Sequence, residues 1–154
     1  MIRFENILTP GRSLVNMPGG SKKRVLEQIA NLIGREVPGM DSATVFESLV
    51  AREKLGSTGF GNGIAIPHCR LASCGEPVSA VIHLDAPVDF DAIDGAPVDL
   101  LFVLLVPQKA TDDHLELLSQ IAGMLDKADV RKSLRNAASD EALYNVVLDA
   151  QKGL

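Results

Sequence analysis

The stretch Val98-Asp99-Leu100-Leu101-Phe102-Val103-Leu104-Leu105-Val106 constrains the fold of this chain more than any other. A half-buried strand alternates apolar and polar residues, whereas a run that is apolar at nearly every position reads as a strand covered on both faces. It therefore predicts a central strand with one layer packed above it and another below. The unbroken part, Leu100 to Val106, lies between Asp99 and Pro107 and is far too short to span a bilayer.

Helical segments on either side of this run can supply both layers. After Gly19-Gly20, Ser21 is placed to cap a helix with Val25, Leu26, Ile29, Leu32 and Ile33 on one stripe. Pro38-Gly39 ends it, Asp41 or Ser42 can cap again, and Val45, Phe46, Leu49 and Val50 repeat the period up to Glu53. Downstream, Thr111-Asp112-Asp113 opens a helix with both acids in its first turn and Leu118, Ile121, Ala122 and Leu125 facing inward. Shorter helices follow near Val130 to Asn136 and from a Ser139 cap through Leu143, Val146 and Val147. The remaining strand signals are Val78 to Leu84 and two short strands of a hairpin around Asn62-Gly63, while Leu14-Val15-Asn16 is a short stretch before the Gly19-Gly20 break. The expected class is α/β: a single domain with a mixed β-sheet flanked by α-helices.

Composition narrows the function classes. Of the 154 residues, 15 are Lys or Arg and 20 are Asp or Glu, a formal net charge of −5. An acidic chain whose densest basic run is Lys22-Lys23-Arg24 has the wrong sign for gripping a phosphate backbone, so no nucleic-acid partner is expected. The start, Met1-Ile2-Arg3-Phe4-Glu5-Asn6, has no apolar stretch of the kind an export signal needs, and no membrane insertion is expected. Cys69 and Cys74 read as free thiols of a cytoplasmic protein. Together with His68 and His83 they fit no usual zinc spacing, so neither a metal nor another cofactor is expected.

Asn62-Gly63 is the strongest short-range signal for a two-residue hairpin turn. With those residues as the turn, Gly61 faces Ile64, Phe60 faces Ala65 and, counting outward, Ser57 faces His68. Ser57 and Thr58 are thus expected beside the imidazole. Gly59, Gly61 and Gly63 clear side chains from the approach, although glycines at this spacing equally suit a tight turn. Pro67 removes a ladder donor and favours a sheet edge. Around His68 the sequence gathers two hydroxyls, Arg52 at the close of the preceding helix, and Arg70. Those are the parts needed to hold a phosphoryl group while an imidazole nitrogen attacks phosphorus. Position alone suits equally well a half-buried His68 satisfied by a backbone carbonyl.

The stretch Arg52-Glu53-Lys54-Leu55-Gly56-Ser57-Thr58-Gly59-Phe60-Gly61-Asn62-Gly63-Ile64-Ala65-Ile66-Pro67-His68 resembles the phosphorylation-site signature of enzyme IIA proteins of the mannitol/fructose class in the phosphoenolpyruvate phosphotransferase system. Phe90-Asp91-Ala92-Ile93-Asp94-Gly95-Ala96-Pro97-Val98-Asp99-Leu100-Leu101-Phe102 and His114-Leu115 add to the resemblance, which is nearest in texture to the nitrogen-regulatory branch. It implies one enzyme IIA domain over residues 4–148 with the fold of that class. It also implies a phosphotransferase component with a phosphohistidine intermediate, in which His68 accepts the group from a histidine phosphocarrier protein. His114 would lie beside His68 as the second histidine and Arg52 would assist, with Ser57, Thr58, Gly59 and Gly61 expected to bind the phosphoryl group. The nitrogen branch implies a regulatory output on targets such as a potassium transporter or a sensor kinase. The alternative is a sugar-transport enzyme IIA that passes the group to a fructose- or mannitol-type enzyme IIB. A binding module that is never phosphorylated would leave the arginine, hydroxyls and paired histidines without a common purpose. Oligomeric state is left open.

Other residues read more simply. His114 falls in the first turn of its helix, four residues before Leu118 and seven before Ile121, hence on the inward face. There a neutral imidazole is expected to donate to a phosphoryl oxygen or to orient His68. His83 falls out of phase with Val78, Ala80 and Ile82, which predicts an outward surface position and no role. Asp89, Asp91, Asp94 and Asp99 read as polar turn residues beside Gly95 and Pro97. Phe60 suits a docking surface or the core.

Overall fold

In the computed structural model, which describes residues 2–153, the apolar run is the central strand of a mixed sheet with helices on both faces. In chain order the elements are β1 (Ser13–Met17), α1 (Lys22–Glu36), α2 (Ser42–Leu55), β2 (Gly59–Gly61), β3 (Ile64–Ala65), β4 (His68–Leu71), β5 (Val78–Val88), β6 (Val98–Pro107), α3 (Asp112–Leu125), α4 (Ala128–Asn136) and α5 (Asp140–Lys152). Short 3-10 turns at Phe4–Asn6 and Pro10–Arg12 precede β1.

Strand β6 explains why its sequence has no polar face. Leu101, Val103 and Leu105 pack into one core with Val25, Ile29 and Ile33 of α1 and Val45 and Leu49 of α2. Leu100, Phe102, Leu104 and Val106 pack into a second core with Leu117 and Ile121 of α3, Leu134 of α4 and Leu143 and Val147 of α5. Each fully buried side chain of this kind stabilises the fold by about 1.5–3 kcal/mol relative to exposure, so a polar residue on either face would be costly.

The sheet runs β1-β5-β6-β3-β2, and β4 continues the β3 side of β6. Strands β5 and β6 are antiparallel, β1 runs parallel to β5, and β3 and β4 both run parallel to β6. The expected caps form. Ser21 accepts from the Arg24 N–H at 3.1 Å, and Ser139 from the Ala142 N–H at 3.1 Å. At the start of α2 the capping oxygen belongs to Asp41 rather than Ser42.

Two sequence readings need correction. The hairpin begins as counted, with Gly61 opposite Ile64, but Gly59 rather than Phe60 then faces Ala65. The extra residue is absorbed at Phe60–Gly61, where Gly61 has φ +105°, and the Thr58 carbonyl accepts from the Ile66 N–H at 3.0 Å. After Pro67 the chain leaves the hairpin altogether and joins β6 as β4, with His68 opposite Leu104, so Ser57 never faces His68. In α3 the buried residues are Leu117, Ile121, Met124 and Leu125, whereas Leu118 and Ala122 are only partly covered. Ile121 and Leu125 are buried as expected, and the stripe is displaced toward Leu117 and Met124 by less than one residue step of about 100°.

Candidate functional site

Among the described residues strand β4 pairs only with β6, so its other side is a sheet edge. The C-terminal end of α2 flanks that edge from one layer and the N-terminal end of α3 from the other. Between them lies an open hollow of about 570 Å³, lined by Arg52 and Leu55 of α2, His68 and Arg70 of β4, Leu104 and Val106 of β6, and His114, Leu115 and Leu118 of α3. The structure thus brings His68, Arg52 and His114 together from three elements.

His68 is half-buried, and its Nδ1 lies 2.6 Å from the Ile66 carbonyl oxygen. A carbonyl can only accept, so Nδ1 donates its proton there and Nε2 of the neutral ring carries the lone pair. Burial holds the His68 pKa below its ordinary value of 6.5, and the positive charge of Arg52 acts in the same direction. The Ile66 hydrogen bond and the negative charge of Glu53 oppose them. Desolvation is the largest cause, so the neutral ring is the form the site favours.

Arg52 sits in the last turn of α2, where its Nη1 donates to the Gly56 carbonyl at 2.8 Å. One donor fixes the side chain while the rest of the guanidinium fork stays available. Its neighbour Glu53, which the sequence reading did not single out, organises the other side of this turn. The Glu53 side chain is 6% exposed, pairs with Lys22 Nζ at 2.7 Å, and accepts from both the backbone N–H and the hydroxyl of Thr58. Lys22 also donates to the Phe90 carbonyl and lies 4.9 Å from the Phe90 ring centroid.

The hydroxyls expected at the site are committed elsewhere. Ser57 Oγ donates to the Phe90 carbonyl at 2.5 Å and accepts from the Gly59 N–H, while Thr58 is buried against Glu53. Ser57, Thr58, Gly59 and Gly61 do not line the hollow. A Cβ on Gly59 would lie 3.0 Å from Ala92, so this glycine serves the packing of β2 against the loop before β6.

On α3, Thr111 and His114 cap one another. The Thr111 N–H donates to His114 Nδ1 at 3.2 Å, and the His114 N–H donates to the Thr111 hydroxyl at 3.4 Å. His114 is therefore not on the stripe buried with Leu117 but on the adjacent one, with Leu115 and Leu118, that faces the hollow.

Cys69 points to the opposite face of β4 from His68, and burial pushes its pKa up to about 12, a poor setting for a reactive thiolate. Cys74 is buried. Among the described residues no three His, Cys, Asp or Glu side chains gather as a metal set, and no helix is long and apolar enough to cross a membrane.

Two further residues depart from the sequence reading. His83 is largely covered rather than a bare surface position, with Nε2 3.3 Å from Asp99 Oδ2. Asp99 is not a turn residue: it lies in β6 and is also gripped by Arg135, Nη2 to Oδ1 at 2.8 Å. Phe60 is partly buried against the α3–α5 core. Among the described residues three large apolar side chains stand exposed instead: Leu55 (85%), Ile93 (87%) and Leu115 (49%), of which Leu55 and Leu115 flank His68 across the hollow. A leucine closing a helix next to Gly56 was the only sequence signal for Leu55.

Known proteins resemble this chain in sequence and in fold. Residues 6–150 match the family described as phosphoenolpyruvate-dependent sugar phosphotransferase system, EIIA 2. Over 153 residues the chain is 76% identical to a nitrogen regulatory protein of Pseudomonas aeruginosa, covering 99% of each chain. It superposes with a TM-score of 0.88 on the crystal structure of nitrogen regulatory protein IIA-Ntr from Neisseria meningitidis, at 45% identity and covering 94% of this chain and 98% of that one. A more distant likeness, to IIA mannitol of Escherichia coli, has a TM-score of 0.74 at 15% identity, covers 91% and 98% of the two chains, and speaks to the fold alone.

Proposed function

Because the chain belongs to the EIIA 2 family of the phosphoenolpyruvate-dependent sugar phosphotransferase system, in its nitrogen-regulatory branch, we propose that His68 Nε2 is the atom that accepts and surrenders a phosphoryl group. One observation carries this reading: the Nδ1 proton rests on the Ile66 carbonyl, leaving the Nε2 lone pair in a hollow shared with Arg52 and His114.

The donor is a small histidine phosphocarrier protein. In the transfer, Nε2 attacks the phosphorus of the donor's phosphohistidine in line with the bond that breaks. The new N–P bond forms at His68, and the electron pair of the old one returns to the donor's imidazole. The positive charge left on the His68 ring is met by the Ile66 carbonyl, which already accepts the Nδ1 proton. The free donors of Arg52 stabilise the equatorial oxygens, and His114 adds a further hydrogen bond, so positioning and charge supply most of the rate. Leu55 and Leu115 give the carrier an apolar rim on which to dock.

The output is regulatory. Phosphorylation adds about −1.5 to −2 charge to this rim and so changes which surfaces can dock there. A potassium transporter or a sensor kinase is the kind of cytoplasmic-side target this suits. Identity to nitrogen regulatory relatives over the whole chain favours this output over handing the group to a sugar-specific enzyme IIB. The test is to incubate the protein with phosphoenolpyruvate, enzyme I and the phosphocarrier. An acid-labile phosphate should appear on the wild type and not on His68→Ala; a His68→Ala protein that still takes it up would overturn the assignment.

A further inference from the structure

We infer that Thr111 is a positioning residue that fixes the tautomer of His114, so that this ring presents a proton rather than a lone pair to the group carried by His68. The inference rests on the phosphoryl-transfer reading of the hollow and adds a device to it.

The reciprocal bonds between Thr111 and His114 form a capping box. The third helical position of such a box is typically Glu or Gln, whose side-chain oxygen can accept from the cap N–H without constraint on any proton. An imidazole is different. The nitrogen that accepts from the Thr111 N–H must be bare, so the proton of the neutral His114 ring sits on Nε2. The other side-chain-capped helices place Arg24, Thr44 and Ala142 at this position, and none of these returns a ring nitrogen to its cap.

The two rings of the hollow are thereby made complementary by opposite backbone partners. His68 Nδ1 meets a carbonyl, so its Nε2 is a lone pair. His114 Nδ1 meets an N–H, so its Nε2 is a donor. A phosphoryl group attached to His68 Nε2 offers only acceptor oxygens, and a His114 ring in the other tautomer would face them with a lone pair. The box also removes the ring flip that would exchange the two nitrogens. No proton has to move during transfer, because each ring already holds it on the useful side.

Long-range proton–nitrogen NMR correlation of the imidazoles, recorded above pH ~8 where histidines are neutral, reads the assignment directly. The wild type should show His114 protonated at Nε2 and His68 protonated at Nδ1. Thr111→Pro removes the N–H that holds His114 Nδ1 bare, so His114 should become a tautomer mixture while His68 is unchanged, and phosphotransfer should slow roughly five- to tenfold, the worth of one neutral hydrogen bond. Thr111→Ala keeps that N–H and should keep His114 protonated at Nε2. A wild-type His114 protonated at Nδ1, or a slowed Thr111→Pro whose His114 tautomer is unaltered, overturns the inference. Phosphotransfer at His68 that persists in either case leaves the site reading standing. Tautomers as stated in a protein whose His68 takes no phosphate overturn the site reading, and with it the role given to Thr111.

Discussion

His68 has to be buried enough to stay neutral and open enough to reach a partner's phosphorus, and its pKa reports the first demand. Desolvation and then Arg52 disfavour the imidazolium, so the folded protein binds the proton less readily than the unfolded chain does. The sign follows: this group costs stability as pH falls below about 6.5 and costs nothing well above it. An NMR titration of His68 should give a midpoint below 6.5, with phosphotransfer falling only as pH drops through that lowered midpoint. Arg52→Ala should move the midpoint upward, because it removes a neighbouring positive charge; a downward move would contradict the geometry. The same substitution should slow transfer by roughly 10²-fold, the scale of removing one preorganised oxyanion donor. Ser57→Ala should leave the rate within about threefold but lower stability by about 1 kcal/mol in urea unfolding, since its hydroxyl holds the Phe90 carbonyl. Arg52, His68 and His114 were legible because a motif and a helix start name them. The commitments of Ser57 and Thr58 were not, since Phe90 and Glu53 come to them only through the fold.

At the scale of elements, the sequence exposed local order and hid the lateral clamps. The hairpin turn was readable from Asn62-Gly63, and both residues adopt positive φ, +59° and +76°. The bulge was not readable, because it depends on where Pro67 hands the chain to β6. Nor was the grip of α4 on this hairpin: Arg135 Nη2 donates to the Asn62 carbonyl at 2.7 Å and its Nε and Nη2 hold Asp99, 36 residues away. Next to it, the Gly63 carbonyl accepts from the N–H groups of Asp99 and Leu100. Arg135→Ala strips Asp99, whose side chain is 20% exposed, of its charged partner, leaving only His83. The expected loss is about 1–3 kcal/mol, as for a partly buried acceptor left unpaired. Amide exchange at Asp99 and Leu100 should quicken relative to that at Val103. A variant as stable as the wild type, with unchanged exchange, would show that the hairpin is held by its turn alone. The displaced stripe of α3, which keeps Ile121 and Leu125 but trades Leu118 and Ala122 for Leu117 and Met124, is the same lesson from a helix. A stripe read from periodicity cannot separate the side packed on β6 from the side facing a hollow, and His114 and Leu118 belong to the second.

For the molecule as a whole, the sheet separates two cores while the site lies at the edge where the sheet stops. The group that changes charge is therefore attached to neither core. Its Nε2 faces an open hollow, and no buried apolar contact has to break when a phosphoryl group arrives. Added to a formal charge of −5, a further −1.5 to −2 at one rim alters the local field strongly and the fold very little. Docking should depend on the apolar part of that rim. Leu55→Asp, at a side chain 85% exposed, should leave unfolding unchanged within about 0.5 kcal/mol while raising the carrier concentration needed for half-maximal transfer. The partition also predicts where phosphorylation is felt. Amide shifts on phosphorylating His68 should concentrate at the end of α2, the start of β4 and the first turn of α3. Strand β1 and helix α5, at the opposite side of the sheet order, should hold still. Shifts spreading through β5 into β1 would mean that the sheet transmits the modification, and the regulatory signal would then be a change of conformation rather than of surface charge.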